Sequence, residues 1–186
     1  KFIIGTDEWI STNNNIKNIE IIKANKSEIK KISFQKTPQN VIAICNIIDY
    51  KLNISEIEHN LTLALDNVQD PGNVGTIIRI ANWFGIKNIL ASSSTADIYN
   101  PKVIQATMGA FARVKVHYVL LQEVLQKLKN ENKLTIYGTT LNGENIYTKE
   151  LKNNGIIVMG SEGSGISTDI SKILSQELLI PNFSDE

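Results

Sequence analysis

Very little in this chain can bind a metal or cross-link the fold. A single cysteine, Cys45, in 186 residues excludes an internal disulfide and a cysteine-rich zinc site, and it fits a reducing compartment. The two histidines, His59 and His117, stand far apart and share no ligand spacing. An excess of either charge is also missing, because 19 Lys and Arg balance 19 Asp and Glu. That excludes a protein that coats RNA by bulk electrostatics, though not one with a local basic site. No apolar run reaches the ~20 residues of a membrane helix and no signal peptide is visible, so the chain reads as soluble and cytoplasmic. Repeats and low-complexity segments are absent, and the abundant asparagine is compositional bias. An initial methionine is lacking too. The chain opens at Lys1 on a strand-like run, Phe2 to Gly5, and a domain seldom begins in mid-strand, so residues before it are expected.

What is present is enough for a proper core. With 42% hydrophobic residues the chain holds one domain or two small ones, at ~150 residues per domain. Residues 1–50 read as part of a small α/β module. Its strands are Phe2 to Gly5, Asn18 to Ala24 and Val41 to Ile48, with a short helix opening at Ser27. Residues 51–60 are polar and loosely patterned, a linker with one helical turn. From Leu61 to the end, strands and helices alternate, which predicts an α/β domain with a mostly parallel sheet covered on both faces. Asn100-Pro101 opens one of its helices as N-cap and first residue. A strand at Val114 to Val119 comes next, then a helix over Leu121 to Leu128 and a strand at Leu134 to Thr139, before a polar loop at Asn142-Gly143.

The chemistry gathers in Leu61 to Leu90. An apolar strand, Leu61 to Leu65, stops at Asp66-Asn67 and passes through Gln69-Asp70-Pro71-Gly72. A helix is expected from about Asn73 to Gly85, with glycine in the left-handed position that ends many helices. In open α/β sheets, ligands sit at this carboxyl end of the strands. Arg79 lies among Ile77, Ile78 and Ile80, where a guanidinium must snorkel to water or pair with an anion. Asn73 stands at or beside the helix start, where unpaired N–H groups favour anions. An N-cap asparagine and an ordinary surface arginine would produce the same pattern.

A second cluster, GSEGSG at Gly160 to Gly165, follows the apolar strand Ile156 to Met159. It precedes an amphipathic helix through Ile166, Ile170, Ile173 and Leu174. Glycines there permit close approach of the backbone to a nucleotide-like ligand. The spacing matches neither GxGxxG nor a P-loop, and Glu162 would repel a bare pyrophosphate. A tight turn with a solvated glutamate would also account for it. Glu177 to Ile180 is the last predicted strand.

Together these stretches resemble a known family. DNVQDPGNVGTIIRIANWFG, then VMGSEGSGIS, then ELLIPN are similar to motifs one, two and three of the TrmH/SpoU-type RNA 2′-O-ribose methyltransferases of the SPOUT superfamily. PKVIQATMGAFARVKV resembles the segment between the first two motifs. The similarity runs from Leu61 to the C-terminus. The stretch Phe34 to Ile44, with Thr37-Pro38-Gln39, resembles the end of the small substrate-binding domain often placed upstream.

The resemblance implies a trefoil-knotted SPOUT-type α/β domain that binds S-adenosylmethionine in the knot and works as a homodimer without a metal. The substrate would be a ribose 2′-hydroxyl in RNA, ribosomal RNA being preferred over transfer RNA because of the upstream module. The sulfonium methyl is already activated, whereas the hydroxyl needs a base or a preorganised site to lose its proton. By similarity Arg79 would contact the phosphate beside the target ribose, with Asn73 and Glu162 positioning Arg79 and the RNA. Glu162 would hold the guanidinium as a bidentate partner. The main chain at Thr140, Leu141, Gly160, Gly165 and Ile180 would line the cofactor pocket. Motif three normally continues into a Ser-Leu-Asn segment and a final helix, and neither follows Phe183-Ser-Asp-Glu186. A polypeptide ending at Glu186 is therefore expected to bind cofactor poorly and to be inactive. Two other readings are an RNA-binding SPOUT-like protein without catalysis and a Rossmann-type nucleotide enzyme. The trio Asn73, Arg79 and Glu162 counts against the first, and the lack of a phosphate fingerprint against the second.

Overall fold

The structure, a computed structural model, describes residues 1–183. The chain divides into two compact units, Lys1–Asp49 and Tyr50–Glu186.

In the first unit β1 (Phe2–Gly5) pairs in parallel with β2 (Glu20–Lys23) and antiparallel with β3 (Val41–Ile44). Helix α1 (Asp7–Thr12) follows β1, and α2 (Lys26–Ile32) follows β2. Both helices start on side-chain caps that satisfy otherwise unpaired N–H groups. The Thr6 hydroxyl accepts from the Trp9 N–H at 3.3 Å, and Asn25 with Glu28 forms a capping box. The strand expected to reach Ile48 stops at Ile44. Its last register partner is Phe2, the first residue of β1.

The second unit holds α3 (Ile54–Glu58), β4 (Leu61–Leu65), α4 (Pro71–Trp83), β5 (Asn88–Ala91), α5 (Pro101–Thr107) and β6 (Lys115–Tyr118). After these come α6 (Leu121–Asn130), β7 (Ile136–Asn145), β8 (Gly155–Met159), α7 (Thr168–Ser171) and β9 (Gln176–Leu179). Six strands form one sheet, ordered β6-β5-β4-β8-β7-β9, with every pair parallel. Alternate side chains feed separate cores. Leu63, Leu65, Ile89 and Ala91 pack with Ile77, Ile78 and Val103 on one face, while Ala64, Leu90, Ile156 and Val158 pack with Leu125 and Leu128 on the other. The chain builds outward from β4 through β5 to β6, then crosses to the far side. Its direction of growth therefore reverses between β4 and β8, the place where open parallel sheets form a crevice.

Helix α4 begins two residues earlier than the pattern predicts. Asp70 is its N-cap, accepting from the Asn73 N–H at 2.8 Å, and Pro71 takes the first position, where its missing N–H costs nothing. At the other end the Ile86 N–H reaches the Ala81 carbonyl at 2.8 Å across Gly85, whose φ is +72°. Gly85 thus closes the helix in the left-handed conformation. Gly75 lets α4 lie against α5: a Cβ there would meet the Ala106 Cβ at 2.4 Å.

Residues 51–60, which read as a linker, fall in this unit and are fastened to it. Ile57 is fully buried, and Lys115 Nζ donates to Glu56 Oε2 at 2.9 Å. Asn88 Nδ2 reaches the same oxygen at 3.2 Å, while Asn88 Oδ1 faces His117 Nε2 at 3.0 Å. The Lys115 hydrogen bond, then that from Asn88, holds the Glu56 carboxyl below its usual value.

Strand β7 is longer than expected and absorbs the Asn142-Gly143 loop. Both Thr139 and Glu144 stand opposite Leu178, so the chain between them curls against β9. The curl needs glycine, since a Cβ on Gly143 would lie 2.6 Å from the Leu178 carbonyl carbon. Helix α7 is shorter than its amphipathic pattern and ends at Ser171, with Lys129 Nζ bonded to the Leu174 carbonyl at 3.1 Å. Residues 184–186, where motif three was expected to break off, lie outside the described residues.

Candidate active site

The strand registers bring together residues that are far apart in sequence. Gly138 pairs with Val158, and Thr139 with Leu178. The residues that follow, Gly160 and Ile180 just past the ends of β8 and β9, and Thr140 and Leu141 where β7 begins to curl, therefore lie on three neighbouring strands at one side of the sheet. Leu141 and Ile180 are exposed apolar groups there, and the Thr140 hydroxyl donates to Glu177 Oε2 at 2.9 Å.

The GSEGSG stretch is a turn closed on itself. Ser161 and Gly165 exchange backbone hydrogen bonds at 3.0 and 2.9 Å, and the Ser164 N–H reaches Ser161 Oγ at 3.1 Å. Gly165 takes φ +65°, open to glycine at little cost. Gly160 has no room for a side chain, because a Cβ would meet the Gly165 carbonyl carbon at 2.1 Å. The turn thus presents Glu162 outward as an exposed carboxylate.

Glu162 meets motif one, but not at the expected residue. Its Oε2 accepts from Asn73 Nδ2 at 3.2 Å, across 89 positions of sequence. No ion pair joins Glu162 to Arg79 among the described residues, so the bidentate arrangement expected from the resemblance is not formed. Asn73 sits at the third position of α4, one turn inside the cap. Arg79 lies on the outer face of that helix. Ile77 and Ile78 are buried, whereas Ile80, Trp83 and Phe84 are 45%, 84% and 74% exposed and share the outer face with it. The guanidinium has no hydrogen bond or ion pair among the described residues, leaving its donors free for an anion.

Sequence reasoning passed over the residues beneath this surface. Asp66 is buried, with Oδ2 accepting from the Ser167 N–H at 2.7 Å and Oδ1 from Asn67 Nδ2 at 2.9 Å. Asn67 has φ +57°, a left-handed conformation asparagine tolerates, and its N–H reaches Ser92 Oγ at 3.0 Å. Ser94 Oγ donates to Asn67 Oδ1. The available signal was the polar pair Asp66-Asn67 ending an apolar strand, facing the polar run Ser92 to Thr95 after the next one.

A six-stranded parallel α/β sheet whose reversal point carries a closed glycine turn has the architecture of the SPOUT-type α/β class. The family model described as the SpoU rRNA Methylase family matches residues 60–185, and the chain belongs to that family. It is 30% identical over 147 residues to the 23S rRNA (guanosine(2553)-2'-O)-methyltransferase RlmP of Bacillus subtilis, covering 78% of this chain and 57% of that protein. Against the human mitochondrial rRNA methyltransferase 3 it is 36% identical over 106 residues, 54% of this chain and 25% of the other. The chain thus spans little more than half the length of the first relative and a quarter of the second. Among solved structures, a TrmH-family protein from Porphyromonas gingivalis matches with a TM-score of 0.82 and 33% identity, over 100% of this chain and 74% of that one. The SpoU methyltransferase AviRb from Streptomyces viridochromogenes, solved in complex with AdoMet, shares the fold with a TM-score of 0.85 at 19% identity, over 100% and 75% of the two chains. The described residues include no helix long and apolar enough to cross a membrane.

Proposed function

We propose that this chain carries the catalytic domain of an S-adenosylmethionine-dependent methyltransferase that methylates a ribose 2′-hydroxyl in ribosomal RNA. It acts in the cytoplasm as a homodimer. The observation that carries the reading is the contact between Asn73 and Glu162, which joins motif one to the glycine turn of motif two just past the end of β8. The residues there fit the cofactor. Exposed Leu141 and Ile180 suit an adenosine, and the carboxylates of Glu162 and Glu177 suit a cationic ligand. When bound, the cofactor supplies an activated methyl group.

The chain's own groups do the rest. Arg79 offers a planar set of donors to the phosphate beside the target ribose, where its charge favours the hydroxyl in its deprotonated form. Asn73 holds Glu162, and the pair fixes the glycine turn at the mouth of the site. The exposed Ile80, Trp83 and Phe84 offer an apolar face for the pairing of two copies. The small N-terminal unit is the RNA-holding module.

The test uses the natural full-length protein, radiolabelled S-adenosylmethionine, and ribosomal and transfer RNA as acceptors. Arg79→Ala should lower the rate of 2′-O-methyl transfer about 10²–10³-fold, the usual effect of deleting one donor to a developing charge, with cofactor affinity unchanged. An Arg79→Ala protein as active as the wild type would refute the assignment.

A further inference from the structure

Asp66 is 3% exposed, and no cation touches its carboxylate among the described residues. Keeping such a charge from water is costly unless its hydrogen bonds are well made. Those bonds reach in two directions. One oxygen takes the Asn67 side chain, in the turn that leads to α4. The other takes the N–H of Ser167, 101 positions later, where the chain leaves the glycine turn. Asn67 is held in turn by Ser92 and Ser94 from the loop after β5. The glycine turn is closed by its own paired hydrogen bonds, so it moves as one piece. Its attachments decide where it stands: the entry from β8, the tip through Glu162 to Asn73, and the exit through Ser167 to Asp66. The tip contact lies in solvent, whereas the exit contact is partly buried and involves a charged acceptor, the stronger kind of hydrogen bond.

From this geometry we infer that Asp66 is a positioning residue, setting the glycine turn of motif two against the helix that carries Arg79 and so fixing the shape of the cofactor pocket. The inference rests on the methyltransferase reading. Asp66 does not touch the reacting atoms. It acts through Ser167 on one side and Asn67 on the other. Its role predicts an effect on the cofactor and none on RNA affinity.

Three variants of the natural full-length protein test it: Asp66→Ala, Asp66→Asn and Ser167→Pro. Alanine leaves the Ser167 N–H and the Asn67 amide without their acceptor. Asparagine keeps an acceptor for Ser167, and a flip of Asn67, whose other face meets a serine hydroxyl, accommodates the new amide. Proline suits the φ of −62° there, removes the N–H, and puts a ring carbon where the hydrogen was, so the Asp66 carboxylate is pushed off this contact. Calorimetric titration with S-adenosylmethionine should show Asp66→Ala and Ser167→Pro weakened about tenfold or more, as for loss of a hydrogen bond to a charged group. Asp66→Asn should stay within about threefold of the wild type, since it keeps an acceptor for Ser167. Filter binding to ribosomal RNA should be unchanged in all three. Wild-type cofactor affinity in both Asp66→Ala and Ser167→Pro would overturn the inference. So would a parallel loss of RNA and cofactor binding, which marks a purely structural residue. A wild-type protein that binds no S-adenosylmethionine fails at the first titration. That result sinks the methyltransferase reading, and this inference with it.

Discussion

Replacing Gly160 by alanine asks how rigid the motif-two turn is. The added Cβ would stand 2.1 Å from the Gly165 carbonyl carbon, and 2.3 Å from both the Gly165 oxygen and the Ile166 nitrogen. Carbon atoms prefer ~3.5–4.0 Å, so the backbone must open by roughly 1.4 Å or more. All three neighbours are main chain, so no side chain can swing aside. Opening the turn breaks the two Ser161–Gly165 hydrogen bonds, each contributing ~0.5–1.5 kcal/mol, on top of ~1–3 kcal/mol for overpacking. The total expected loss is ~2–6 kcal/mol, or a drop of roughly 4–24 °C in Tm for a chain of this size. Two neighbours serve as controls. Gly163 has nothing within 4 Å and no positive φ, so its alanine variant should stay within about 0.5 kcal/mol of wild type. Gly165 is equally open but has φ +65°, so alanine should cost ~1–2 kcal/mol. Thermal unfolding followed by circular dichroism should rank the variants Gly160, Gly165, Gly163, from most to least damaging. A Gly160→Ala protein as stable as Gly163→Ala would refute the close-packed turn.

The Thr62 hydroxyl is fully buried without a hydrogen-bond partner among the described residues, so Thr62→Val should add ~1 kcal/mol and raise Tm by ~2–4 °C; a lower Tm would contradict it. Glu56 makes an acid-sensitive contribution. Because its folded carboxyl lies below the ordinary 4.5, its bond to Lys115 stabilises above that pH and is lost as pH falls through the lowered value. Wild type should therefore exceed Glu56→Gln in Tm at neutral pH by a margin that closes on acidification, and a margin independent of pH would exclude the ion pair as its source.

The unit from β4 through α4 to β5 was legible because its signals are local. An apolar run, a proline after a cap and a glycine at the helix end each act within a few residues. Asn100-Pro101 likewise opens α5 as read. Helix α1 was missed for want of apolar periodicity, although Thr6 followed by Asp7 and Glu8 is a start signal in its own right. Other features depend on partners distant in sequence. Arg79 looked surrounded by isoleucines, but α5 and the sheet cover only the side of α4 carrying Ile77 and Ile78. The partner of Glu162 depends on where β8 stands beside β4, which no local pattern encodes. The curl of β7 is invisible for the same reason: Asn142-Gly143 has the composition of a loop and becomes strand only because β9 lies against it.

The position of β4 has a consequence for synthesis. Leu61 pairs with Gly155 on β8, while its other neighbour, β5, follows within one helix. The chain leaves the ribosome at ~5–20 residues per second, so β8 emerges roughly 5–20 s after β4, some 90 residues later. Throughout that interval the edge of the most central apolar strand has its N–H and C=O groups unpaired, which is a template for pairing with other chains. A nascent polypeptide stalled between β6 and β8 should therefore be the species that most needs a chaperone, and slowing translation there should lower the soluble yield without changing the stability of molecules that finish.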